Sequence, residues 1–196
     1  MEYRMSTLEL KELSAPAGEV IKIAAGKTLD LKSQGTTTLP TGSVLQVVSH
    51  LDTAQTTQTL STSDTVVGNM EKAITPKGTN SKFLVYVRWL GEVGNAHDCV
   101  FNIQMNTTRV NINGQGSRHG LTVPVTSFDD GNNDDSTPES ANFQTLVSTS
   151  SVIGTAITFA LVAESNYGAP FATNRTIGGG AQERGTSEII ITEIQG

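Results

Sequence analysis

Thr79-Asn-Ser-Lys-Phe-Leu-Val-Tyr-Val87, followed by Arg88, Trp89 and Leu90, decides the fold class. Small polar residues lead into Phe83 to Val87, an unbroken run of strand formers. Successive side chains of a strand point to opposite faces. Phe83, Val85 and Val87 therefore share one face, and Leu84, Tyr86 and Arg88 share the other. Both faces are largely apolar, so the stretch reads as a central strand. One face belongs in a sandwich core and the other meets a second burial surface. Thr75-Pro-Lys-Gly78 just ahead is a turn, with Pro76 fixing φ.

The same period of two extends in both directions. Upstream, Ser43-Val-Leu-Gln-Val-Val-Ser-His50 reads as a first strand. Thr53 to Thr65, nearly all Thr, Gln, Ser and Ala, reads as an exposed strand or loop, continued by Val66-Val67 and Met70 to Ile74. Downstream, Glu92 to His97 reads as a connection. Cys99-Val-Phe-Asn-Ile-Gln-Met105 then places Cys99, Phe101, Ile103 and Met105 on one face. Thr107 to Ile112 is expected as the next strand, with Asn113-Gly114 as the strongest hairpin signal. Leu121 to Phe128 is a further strand, and Pro124 assigns it to an edge or bulge. Asn142 to Ser148, Ile157 to Glu164 and Ser187 to Ile194 complete the set, the last suited to the middle of a sheet. Asn166 to Gly185 is expected to be a long loop. Many short strands with loops every ten or so residues and no convincing helix give an all-β sandwich or jelly roll.

Composition agrees. Of 196 residues, 36% are hydrophobic and 16% charged, and the remainder is rich in Ser, Thr, Asn, Gln and 19 glycines. Such a mixture favours tight turns between strands over helices. The net charge of −6, with no Lys/Arg cluster, argues against a nucleic-acid partner. No apolar window approaches a membrane span, and Met1 to Leu10 lacks the apolar run of a secretory signal. With a single cysteine, Cys99, no intrachain disulfide forms. That thiol reads either as a small core side chain or as a reactive group.

The first part of the chain has its own character. Thr7-Leu-Glu-Leu-Lys11 recurs as Thr28-Leu-Asp-Leu-Lys32, with Val20-Ile-Lys-Ile23 between. Strands this short need a partner surface. Residues 1–38 therefore read either as a frayed strand of the main domain or as a docking arm or short intertwined β stalk. Gln34 to Gly42 is a linker of small polar residues with Pro40, and it sets the boundary of a head domain at 39–196.

Candidate chemistry is sparse. Asp129, Asp130, Asp134 and Asp135 lie in one loop with Asn132 and Asn133. Hard oxygen ligands at this density suit a weak Ca²⁺ site, although Gly131 falls too early for an EF-hand and charge runs are commonly solvated. His50, His97 and His119 have no metal-ligand spacing. Arg118 and His119 occupy a Gly-rich loop and are candidates for a surface or trimer-axis contact. Tyr167, Phe171 and Trp89 are the aromatics nearest to loops, and serve either as sugar-stacking platforms or as plugs at the ends of the sandwich. No nucleophile elbow, phosphate loop or metalloprotease motif occurs. The reading is a protein that is not an enzyme and has no cofactor.

Four landmarks carry a family resemblance: Leu39-Pro-Thr-Gly-Ser-Val-Leu-Gln-Val-Val48, Ile74-Thr-Pro-Lys-Gly-Thr-Asn-Ser-Lys-Phe-Leu-Val85, Asn174-Arg-Thr176 and Ser187-Glu-Ile-Ile-Ile-Thr-Glu-Ile194. In this order they resemble the C-terminal module of bacteriophage tail-fibre-like and virion surface proteins of the marine and cyanobacterial phage type. The resemblance implies an antiparallel jelly roll of the tumour-necrosis-factor/C1q type, a homotrimer and a place on the virion after synthesis in the host cytoplasm. It carries no catalytic residues. Only about 40 residues precede the head, which favours a capsid decoration or short spike over a complete long tail fibre. The alternative is a tail-fibre tip adhesin for host attachment, binding surface glycans through the loops at 113–120, 129–140 and 165–185.

Overall fold

The strand that opened the sequence reading is β4 (Lys82–Val93), and its alternation is the fold's organising feature. Phe83, Val85, Val87 and Trp89 are fully buried, whereas Leu84, Tyr86, Arg88 and Leu90 are half-buried on the reverse face. The structure, a computed structural model, describes residues 24–28, 39–94, 99–112, 123–124, 137–166, 168, 170–178 and 183–196. The chain divides into two units, Met1–Thr38 and Leu39–Gly196. In the first, the described residues form a turn in which Lys27 N donates to Ala24 O at 3.1 Å. The stalk or docking arm expected over 1–38 lies otherwise outside the described residues.

Unit two is an all-β sandwich of two antiparallel sheets, and no helix occurs among the described residues. The other strands are β1 (Val44–Asp52), β2 (Thr56–Thr59), β3 (Thr65–Ile74), β5 (Cys99–Met105), β6 (Thr108–Arg109), β7 (Val123–Pro124), β8 (Glu139–Ser148), β9 (Ile157–Ser165), β10 (Pro170–Thr173) and β11 (Ser187–Ile194). One sheet contains β1, β2, β4, β8, β10 and β11. The other contains β3, β5, β6, β7 and β9. From β2 to β3, β3 to β4, β4 to β5, β7 to β8, β8 to β9 and β9 to β10 the chain passes from one sheet to the other. Sequence neighbours thus form opposite walls of one core.

That core gathers Phe83, Trp89, Phe101, Phe159 and Phe171 with the aliphatics of β3, β4, β5, β9 and β11. Trp89 stacks on Phe171 with ring centroids 5.0 Å apart and meets the edge of Phe101 at 5.1 Å. Its Nε1 donates to Thr173 Oγ1 at 3.3 Å, so the one buried indole N–H is satisfied. Gly91 makes this possible. A Cβ there would lie 2.0 Å from Ala172 O and 2.4 Å from the Trp89 ring.

The registers reveal two interrupted strands. β11 pairs with β4 from Ile194↔Lys82 to Glu188↔Arg88, and β10 resumes the same edge from Thr173↔Gly91 to Phe171↔Val93. On the next row, β1 pairs with β11 and β2 with β10. β10 and β11 are thus two halves of one strand, parted by the excursion 174–186, and β1 and β2 are halves of its neighbour, parted at 53–55. β8 covers the opposite edge of β4 from Lys82↔Ser148 to Gly91↔Glu139.

Several expectations change. The strand from Ser81 does not end at Leu90 but runs to Val93, because Gly91, Glu92 and Val93 are all buried and β10 pairs with them. The loop expected over 166–185 contains β10, a central strand segment. The strand expected over Thr107 to Ile112 shrinks to Thr108–Arg109. The hairpin turn is Asn106-Thr107, with Met105 opposite Thr108 and Asn106 at φ 58°. Asn tolerates that left-handed conformation better than other side chains. Asn113-Gly114 lies outside the described residues. β11 is central, but its second face is half-buried rather than fully buried.

Candidate functional site

The outer face of the β4 sheet is the broadest candidate surface. Cross-strand registers set Val47, Thr192, Leu84 and Leu146 in one row and Ser49, Ile190, Tyr86 and Gln144 in the next. Leu51, Glu188, Arg88 and Asn142 form the third. Alternation aims all of them away from the core. Val47 is 57% exposed, Leu51 51% and Leu146 48%. Tyr86 Oη lies 3.3 Å from Asn142 Oδ1. Arg88 Nη1 donates to Thr186 O at 2.8 Å, which fixes the guanidinium along the sheet opposite Glu188. The face is therefore apolar toward the end that carries Val44 and Ile194, and polar toward the excursion.

Asn174 pins the base of the excursion. It sits in the left-handed region at φ 62° and is fully buried. Its N–H donates to Leu90 O at 2.8 Å, and its carbonyl accepts from Gly185 N at 3.2 Å. Its Nδ2 donates to Asp52 O and Ala54 O, each at 2.9 Å, while Oδ1 accepts from Ser187 Oγ at 2.7 Å. One side chain thus joins both ends of the excursion and holds the break between β1 and β2. Within the excursion, Ile177 N donates to the buried Glu92 carboxylate.

A second carboxylate organises the end of the sandwich near residue 39. Glu193 is fully buried and accepts from Gln46 Nε2 at 2.6 Å, Ser81 Oγ at 2.6 Å, and the backbone N–H groups of Lys77 and Gly78 at 2.9 Å each. Burial pushes its pKa up. The hydrogen bonds from Ser81, Gln46, Gly78 and Lys77 more than offset this, so the carboxyl sits below its ordinary value. Its role is to clamp the turn before β4 onto β11.

On the other sheet, Arg109 lies between two carboxylates. Its Nη2 is 2.6 Å from both Asp64 Oδ1 and Glu164 Oε2, and Gln104 Nε2 donates to Asp64 at 2.7 Å. Hydrogen bonding to Asp64 raises the Arg109 pKa further; burial opposes the rise and Glu164 adds to it. Both carboxylates are thus engaged by a permanently charged guanidinium.

The residues singled out by sequence fare differently. Phe171 is not a loop platform. It is a β10 strand residue, fully buried against Trp89 and Phe101, because the excursion begins only after Thr173. Trp89 is likewise core. Asp129, Asp130, Asp134, Asp135, Arg118, His119 and Tyr167 lie outside the described residues. Cys99 is buried, and desolvation, with Glu164 adding, pushes its thiol up to about 12, so it is a core side chain. Among the described residues no group of three or more His, Cys, Asp or Glu side chains is placed to hold a metal ion. Sequence reading missed Asn174 and Glu193 as organisers. Asn174 entered only as part of the Asn174-Arg-Thr176 landmark, and Glu193 looked like any polar residue of an alternating strand. No protein-family model and no curated protein matches the chain.

Proposed function

We propose that this chain is a bacteriophage virion surface protein, a homotrimeric spike or capsid decoration. Residues 39–196 form the outward head, and residues 1–38 attach it to other virion proteins. The observation that carries the reading is the outer face of the β4 sheet. It exposes Val47, Leu51 and Leu146 beside half-buried Leu84, Tyr86 and Ile190 on one sheet face, the kind of contiguous apolar patch that marks an interaction surface. Fully burying one such side chain contributes about 1.5–3 kcal/mol, so a few of them can drive self-association. The passage of the chain between the two sheets supports a jelly-roll topology for the head. The resemblance of Ile74 to Val85 and Ser187 to Ile194 to phage virion modules supplies the biological setting, and these stretches supply the start of β4 and the whole of β11, the strands at the centre of the proposed contact.

Two measurements test the proposal. Multi-angle light scattering of the purified chain gives three times the chain mass, and Leu146→Asp with Val47→Asp gives a folded species of one chain mass. A wild-type monomer refutes the assembly. Electron microscopy of virions with labelled chain places it on the particle surface; a particle without it refutes the virion role.

A further inference from the structure

Met105, Asn106 and residues from the segment 149–157 line an open pocket of about 190 Å³. Its lining combines the apolar side chains of Met105, Val152 and Ile157 with the hydroxyl and amide groups of Asn106, Thr149, Ser150 and Thr155. Among the described residues that line it, none carries a charge. We infer that this pocket is a binding site for one neutral sugar ring. The inference is independent of the virion reading, since it rests on the pocket alone.

Size, charge and stiffness argue for that ligand class. At about 30 Å³ per water, the space holds roughly six waters. One pyranose ring displaces about that many, whereas drug-sized ligands need sites of roughly 300–1,000 Å³. An ionic ligand would give up hydration with no opposite charge to replace it. A neutral pyranose carries C–H faces that suit Met105, Val152 and Ile157, and equatorial hydroxyls that suit the hydroxyl and amide groups. The walls are set before any ligand arrives. Asn106 N donates to Thr158 O at 2.6 Å, and Asn106 Oδ1 accepts from Thr158 N at 3.1 Å. That pincer fixes which end of the amide faces the protein and leaves Nδ2 as the donor for a ligand. Ser151 Oγ anchors the opposite wall by accepting from Ser81 N at 2.9 Å and donating to Gly78 O at 3.1 Å. Thr155 N closes the turn on Val152 O at 3.1 Å. Such a site binds a single ring with a Kd of about 1 mM, because so few atoms are engaged.

The four methionines give the assay. In the full chain labelled with ¹³C at the methionine methyls, Met105 reports on the pocket and Met70, fully buried in the core, is the internal control. Methyl β-glucopyranoside, methyl β-galactopyranoside and N-acetylglucosamine are each titrated to about 20 mM, some twenty times the expected Kd. At least one shifts Met105 saturably and leaves Met70 in place, while glucuronate binds at least about tenfold more weakly. A β-linked disaccharide separates a terminal-residue site, which keeps the affinity, from a free-monosaccharide site, which loses it; either outcome supports the site. Asn106→Gly keeps the left-handed turn at no steric cost and removes the amide, and Thr155→Val removes one hydroxyl at constant shape. Each variant raises Kd about tenfold; Thr155→Val leaves the melting temperature unchanged, and Asn106→Gly, which also loses the bond from Thr158 N, lowers it by about 2–5 °C. Three results overturn the inference. They are no saturable Met105 shift with any neutral sugar, a shift that both variants leave untouched, and a Met105 shift that follows protein concentration instead of sugar. The last would seat the exposed Val152–Ile153 turn of a second copy in the pocket.

Discussion

Replacing Glu193 by Gln should unclamp the turn that leads into β4. The native carboxylate accepts from four donor groups, Gln46 Nε2, Ser81 Oγ, Lys77 N and Gly78 N, at 2.6–2.9 Å and with no solvent exposure. A glutamine keeps the shape but has one oxygen, and its NH₂ group must face backbone N–H donors. Hydrogen bonds to a charged group contribute about 1.5–3 kcal/mol each and neutral ones about 0.5–1.5. Weakening four of them by about 1 kcal/mol each, less the desolvation relieved by removing the charge, leaves a loss of about 3 kcal/mol. For a chain of this size that lowers the melting temperature by about 6–12 °C. The pH dependence has a fixed sign. The folded-state pKa lies below the ordinary 4.5, so the native carboxylate's contribution is complete above that value. It is lost as pH falls from 4.5 through the lower folded-state pKa. Urea denaturation of both proteins at pH 7, 5, 4 and 3 should show a gap at pH 7 that narrows as the pH falls below 4.5. A pH 7 gap under about 0.5 kcal/mol would refute the clamp, being the size of an ordinary surface change. A gap that persists unchanged at pH 3 would refute the role of the charge.

Two further outcomes follow from buried groups. Asn174→Asp is isosteric, but it replaces the donor that serves Asp52 O and Ala54 O with an acceptor facing two carbonyls. It should cost about 3 kcal/mol, read as a melting-temperature fall of about 6–12 °C, and a fall under about 2 °C would remove Asn174 as the staple of the strand break. Cys99, with its thiol pushed from 9.0 up to about 12, should react with a thiol reagent at pH 8 about 1,000-fold more slowly in the native chain than in urea; equal rates would contradict its burial.

Much of the sandwich was legible because its signal is local. Phe83, Val85 and Val87, then Ile189 and Ile191, alternate with half-buried residues, and that period follows from backbone geometry whatever the partner strand. The same logic found the second apolar face of β4. It failed at Phe171, where Pro170, Asn174 and several glycines nearby look like loop residues. Four residues sufficed for a strand because β4 and β2 supply ladders on both edges. Loop candidates such as Asp129 and Arg118 were chosen by composition, which names residue types but places none of them in space.

Sequence alone determined the all-β class, the position of β4 and the inward residues of each long strand, since these depend on neighbours one or two positions away. Tertiary structure alone decided that β10 and β11 are one interrupted strand and that Asn174 spans to Ala54. It also decided that Glu193 gathers Gln46, Lys77, Gly78 and Ser81, and that Met105, Asn106 and Thr155 share a pocket. Each of these depends on groups far apart in the chain meeting at hydrogen-bond or contact distance. An alternating pattern states which face a residue takes, and only the register between strands states what lies across from it.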